Sequence, residues 1–214
     1  MGGMGLTYGY DIYLRPGNVA RALTALAALA PPARRVPPLE LTLPDGERLA
    51  LPFTSQFKSD PVDCTTGTTG TTGTTSAPRG TSTTIELDTS LMFGVDDVLR
   101  EYADVYGRDI EEDGRIAIGY VYLTIRFSSL LHPRYASLEF WAATSGMSRV
   151  FARSPGVREV FTDLTAAAGG VCCLFDTGDG SPGQLCWLNG EATEAMVPVP
   201  DPRALAAKWP DPSR

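Results

Sequence analysis

Histidine occurs once in the 214 residues, at His132, and lysine twice, at Lys58 and Lys208, against 16 arginines. Any imidazole chemistry must therefore run through His132, which sits before a proline in the connection FSSLLHPRY and reads as a turn residue. There are four cysteines and no Cys-x-x-Cys pair, so the usual zinc arrangements are excluded and no metal site is expected. No phosphate-cradling Gly-x-x-x-x-Gly-Lys loop and no Gly-x-Ser-x-Gly elbow occurs, and no cofactor is expected. The longest apolar run, LTALAALA at 23–30, is too short to span a bilayer and stops at Pro31-Pro32. The opening MGGMGLTYGYD has neither a basic nor a hydrophobic region of the secretory kind, which points to the cytoplasm and away from a membrane. A net charge of −7 argues against nucleic-acid binding, where cations must meet phosphates.

What is present is an ordinary globular composition, 43% hydrophobic and 20% charged, long enough to bury a core. TYGYDIYL (7–14) alternates, with Tyr8, Tyr10, Ile12 and Leu14 on one strand face. Asn18 is placed to cap a helix to about Ala30. LELTLPDGERLALPF (39–53) reads as a hairpin around Pro44-Asp45-Gly46. A strand over 82–93, a helix over 95–107, a long strand over 115–128 and its partner over 136–145 follow. The long strand is apolar on both faces and reads as central. A helix over 155–168 opens at Ser154-Pro155, a last hairpin joins VCCLF (171–175) to QLCWLN (184–189), and a short helix starts at Asp201-Pro202. Consecutive Cys172 and Cys173 point to opposite faces, so one can meet Cys186 across that hairpin.

Between the two strand-helix-hairpin groups stands CTTGTTGTTGTTSAPRG, 64–80, whose glycines break any period-2 face and which offers nothing apolar to bury. It reads as a flexible seam within one domain spanning 1–214, with sub-halves at 1–63 and 81–214. The expected fold is α+β, with mainly antiparallel sheet and helices on one face: two β-α-β-β halves, then α-β-β-α.

Three sets of residues are candidates for function. Between 86 and 113 stand ten acidic residues against Arg100 and Arg108. Asp97, Glu101 and Asp104 lie at helical spacing, and Glu111, Glu112 and Asp113 extend the region, a docking surface for a basic protein partner. Tyr8, Tyr120, Tyr122, Phe140 and Trp141 would line a groove for a small ligand if one sheet face is open. Asp176, Asp179 and Arg149 are the first candidates for an enzyme acting on an anionic substrate, although DTGDG (176–180) fits a hairpin turn better than a calcium loop. The arginines from 126 to 158 face only Glu139 in their own stretch and are expected to pair with the acidic one.

A small acidic α+β chain opening with Tyr10-Asp11-Ile12-Tyr13-Leu14 resembles the immunity proteins of bacterial toxin systems, which implies a non-enzymatic protein that binds a partner protein. The repeated strand-helix-hairpin order is also similar to the vicinal oxygen chelate fold, whose antibiotic-binding members would imply sequestration of a small molecule. The chain departs from that fold in having two rather than three hairpin-linked strands after each helix.

Overall fold

The computed structural model describes residues 7–32, 37–65, 84–180 and 183–211; most of the Thr-Thr-Gly seam lies outside them. In chain order come β1 (Gly9–Leu14), a 3-10 turn (Pro16–Asn18), α1 (Val19–Ala27), β2 (Leu39–Thr42), β3 (Arg48–Leu51) and β4 (Val62–Asp63). These are followed by β5 (Thr84–Gly94), α2 (Asp97–Tyr106), β6 (Arg115–Arg126), β7 (Ala136–Ala142), α3 (Ser145–Arg153) and α4 (Pro155–Ala167). The chain closes with β8 (Gly170–Asp176), β9 (Gln184–Leu188), β10 (Glu191–Pro198) and α5 (Pro202–Ala206). The fold is α+β, and its main sheet is antiparallel throughout.

The seven strands of that sheet run in the order β10-β9-β8-β1-β7-β6-β5, while β3-β2-β4 form a small separate sheet in which β2 and β4 are parallel. The first strand of the chain is thus the middle strand of the sheet, buried along all six residues. The long strand expected to be central, β6, lies one place in from the edge; its alternate residues Tyr120 and Tyr122 face outward and are exposed. The hairpin of the first half leaves the sheet altogether, so the two halves share an order in sequence but not a place in space.

One face of the sheet is covered by α1 to α4. Tyr10, Ile12 and Leu14 of β1 meet Leu23 and Leu26 of α1, Met147, Val150 and Phe151 of α3, and Val157, Phe161 and Leu164 of α4 in a single core. At its centre Tyr10 stacks on Phe161 at 4.4 Å, and its buried hydroxyl donates to the Phe151 carbonyl at 2.9 Å. Such geometry adds to the area term, and the hydroxyl is not left unpaired. The fifth helix is the exception to a one-sided layer. It packs on the opposite face, where Tyr13, Tyr135, Cys172, Leu174 and Trp209 form a smaller cluster.

Local chemistry explains the helix starts. Asp96 caps α2, accepting from the Leu99 amide at 2.8 Å, and also accepts from Ser154 Oγ at 2.6 Å and the Gly156 amide at 3.2 Å. Ser154 in turn caps α4, so one carboxylate ties two helix N-termini together. Burial alone would raise the Asp96 carboxyl, but these hydrogen bonds hold it below the ordinary aspartate range. Asn18 makes no cap; its side-chain amide donates to the Gly169 carbonyl instead. α2 stops at Gly107, whose φ of +58° suits a residue without Cβ. α3 and β10 have no counterpart in the sequence reading. The strand expected over 136–145 ends at Ala142, because Thr144 caps α3 and Met147, Val150 and Phe151 supply its buried stripe. β10 is mostly exposed and has no hydrophobic face to read; pairing with β9 makes it a strand.

Candidate binding surfaces

The edge strand β5 is crossed by the segment that leaves the small sheet. Phe53 is buried in the main core, Thr54 exchanges two backbone hydrogen bonds with Asp88 of β5, and Phe57 emerges on the far face. There its ring sits 5.1 Å from Tyr120, edge-on. The Phe57 amide donates to Asp88 Oδ2 at 2.6 Å, which serves a buried carboxylate and blunts a free strand edge. The proposed aromatic groove is therefore split. Tyr120, Tyr122 and Trp141 lie on this far face, whereas Tyr8 packs against Phe175 on the helix side and Phe140 is fully buried there. The odd-even phase of the strands explains it: Tyr122 pairs with Trp141, and Phe140 is one residue out of step.

The register runs on across the far face. Trp141 pairs with Gly9 and Gly9 with Asp176. The indole lies over Gly9 so closely that a Cβ there would stand 2.9 Å from the ring and 2.3 Å from the Phe140 carbonyl oxygen, which accounts for glycine at that point of the central strand. In the neighbouring row Glu139 pairs with Asp11 and Asp11 with Leu174. Asp11 is 8% exposed. Neither Asp11 nor Glu139 was among the candidates. The signal was a charged residue inside the strand Tyr-Asp-Ile-Tyr-Leu; it would have stood out only if that strand were recognised as central, with both faces covered.

The acidic residues sit as the helical spacing predicts. Asp97, Glu101, Asp104, Glu111, Glu112 and Asp113 are all exposed along α2 and the loop after it. Glu101 reaches Arg153 of α3 at 3.5 Å, and Asp113 pairs with Arg115 at 2.7 Å; both pairs are solvent-exposed and worth little in stability. Among the described residues Glu101–Arg153 is the one ion pair between the acidic and the arginine-rich stretches. Arg126 binds Glu139, Arg134 binds Asp211, and Arg158 donates to the Thr193 carbonyl. The apolar stripe of α2 is narrow: Leu99, Tyr102 and Ala103 are buried, but Val105 is 68% and Tyr106 51% exposed. Those two side chains wall a groove of about 160 Å³ between α2 and α3, with Glu101, Arg149 and Arg153 on its rim.

The enzyme trio does not assemble. Arg149 lines the α2–α3 groove, while Asp176 lies on the far side of the sheet and the Asp176 and Asp179 carboxylates close their own turn, accepting from the Gly178 amide and the Thr177 hydroxyl. His132 stacks on Trp209 and lies edge-on to Tyr135, a packing role in the smaller cluster. All four cysteines are buried free thiols; Cys172 faces the smaller cluster, while Cys173 and Cys186 face the main core.

No family model, no curated protein and no solved structure matches the chain. Among the described residues no helix is long and apolar enough to cross a membrane.

Proposed function

We propose that the protein is a non-enzymatic binding protein of the immunity or inhibitor type, which holds a basic partner protein in the cytoplasm through the acidic edge formed by α2 and the loop to Asp113. The observation that carries this reading is the pair Val105 and Tyr106, large apolar side chains left in solvent beside a groove on a helix otherwise edged with carboxylates. An apolar centre ringed by charge is the anatomy of a protein interface: the centre supplies most of the affinity, and the rim speeds encounter and selects the partner. Six exposed carboxylates favour a partner of opposite sign.

The test is capture from the native host by tagged protein at low and high salt, with three baits. These are the unaltered chain, the triple variant Glu101→Lys, Asp104→Lys, Glu111→Lys, and Val105→Asp. One stoichiometric protein should bind the unaltered chain, dissociate as salt rises and be missing from both variants, whose melting temperatures stay near that of the parent. A protein retained equally by all three baits would sink the proposal.

A further inference from the structure

Asp11 occupies the middle of the middle strand, and the structure gives its charge almost nothing to pair with. Glu139 lies directly opposite on β7, and Asp176 lies two residues beyond its partner Leu174 on β8. Like charges facing each other across a sheet are destabilising. Glu139 is compensated, accepting from Arg126 Nε at 3.0 Å and Ser137 Oγ at 2.8 Å. Asp176 accepts from the Gly178 amide at 2.7 Å. Asp11 has one long contact, the Tyr13 hydroxyl at 3.4 Å from Oδ2, and its buried Oδ1 has no hydrogen-bond partner among the described residues. A buried carboxylate oxygen left bare is among the more costly features a fold can keep, and such breaches of local consistency concentrate at functional sites.

The space beside it is open. Asp11, Tyr13, Leu174 and Asp176 floor a cleft of about 270 Å³, with Leu131 and Pro202 on its walls. We propose that this cleft binds a small organic cation, a primary amine or guanidinium on a short apolar body, with Asp11 as its counter-ion. The sign follows from the Asp11, Glu139 and Asp176 carboxylates, opposed among the described residues acting on Asp11 by Arg126, which is itself bound to Glu139. The apolar body follows from the walls. A metal ion is the poorer fit, because among the described residues no three acidic, histidine or cysteine side chains converge as ligands. At liquid density the volume holds about nine non-hydrogen atoms. The site is separate from the α2 edge, on the other face of the sheet, and stands or falls independently of the partner reading.

Proton linkage supports the assignment. Burial first, and then the Glu139 and Asp176 charges, hold the Asp11 carboxyl well above the ordinary aspartate range, against the weaker opposite pull of the Tyr13 hydroxyl and Arg126. A bound cation favours the ionised carboxylate and so competes with that proton, which makes affinity rise with pH.

The test is isothermal titration calorimetry of the full chain with benzylamine and with benzyl alcohol, its neutral counterpart of similar shape, at pH 6 and pH 8. Benzylamine should bind at one saturable site, several-fold more tightly at pH 8, while benzyl alcohol gives no saturable heat. Asp11→Asn should weaken benzylamine at least tenfold. Should that variant fail to fold, Asp176→Asn replaces it and should weaken binding several-fold. Equal binding of alcohol and amine, undiminished binding by the folded variant, or no saturable binding of either benzylamine or butylguanidine would overturn the proposal.

Discussion

The two faces of the main sheet are built on opposite terms. On the helix side, four helices and a set of interlocked aromatics fill the space, the central Tyr10 hydroxyl has its carbonyl, and the Asp96 carboxylate at the helix ends has its three donors. On the other side a small cluster around Trp209 covers one part, Phe57, Tyr120 and Tyr122 stand in solvent at another, and Asp11 is buried with one oxygen unpartnered among the described residues. The first face maximises stability. The second forgoes some: Trp187 Nε1 also lacks a partner among the described residues on the helix side, but only the far face buries a carboxylate oxygen that way, which marks it as a surface open to use.

Substitutions test that contrast. The largest loss is expected from Phe161→Ala on the helix side, since its ring contacts Tyr10, Phe140 and Phe151 and is fully buried. Urea denaturation should show about 3–5 kcal/mol. Tyr122→Ala on the far face should cost about 1 kcal/mol or less, and a loss equal to that of Phe161→Ala would erase the distinction. Asp96→Ala comes next, at about 2 kcal/mol, because it uncaps α2 and releases the α4 N-terminus at once.

The fourth substitution should reverse sign. Asp11 has a raised folded-state value. Its contribution is therefore favourable below the ordinary aspartate range and is lost as pH climbs through the raised value. Asp11→Asn removes that loss. It should be more stable than the parent by about 1–2 kcal/mol at pH 8, with the difference shrinking towards pH 5; thermal melts across that range read it directly. A variant less stable than the parent at pH 8 would mean that the far face is as well satisfied as the near one.

Much of the architecture was legible because it rests on periodicity. The alternation of Tyr8, Tyr10, Ile12 and Leu14, the turn at Pro44-Asp45-Gly46 and the Ser154-Pro155 start each carry their own local signal, and each element lies where the signal puts it. What was not legible depends on partners distant in sequence. Nothing in residues 7–14 says that β1 is inserted between β7 and β8, so nothing there says that Asp11 is covered. β10 is a strand by pairing alone. Of the five aromatics expected to line one groove, Tyr120, Tyr122 and Trp141 share the far face, but the phase that sets Phe140 and Tyr8 against the helices depends on register, which composition does not encode. The carboxylates of α2 needed only helical spacing and are exposed; that Val105 and Tyr106 stand in solvent beside them depends on what packs against the helix, which spacing does not show.

The position of β1 also fixes a schedule. β1 is made well before the strands and helices it packs against: the Tyr8 amide waits for Ser148, 140 residues away, and the Tyr10 hydroxyl for Phe151, 141 away. Until β7 and β8 emerge, β1 has no sheet to join, and its six residues stay extended and largely apolar in a growing chain. Folding must therefore bring β7 and β8 back onto a strand made long before them, a long-range search that is slow by nature and that leaves the strand Gly-Tyr-Asp-Ile-Tyr-Leu as a client for holdase chaperones.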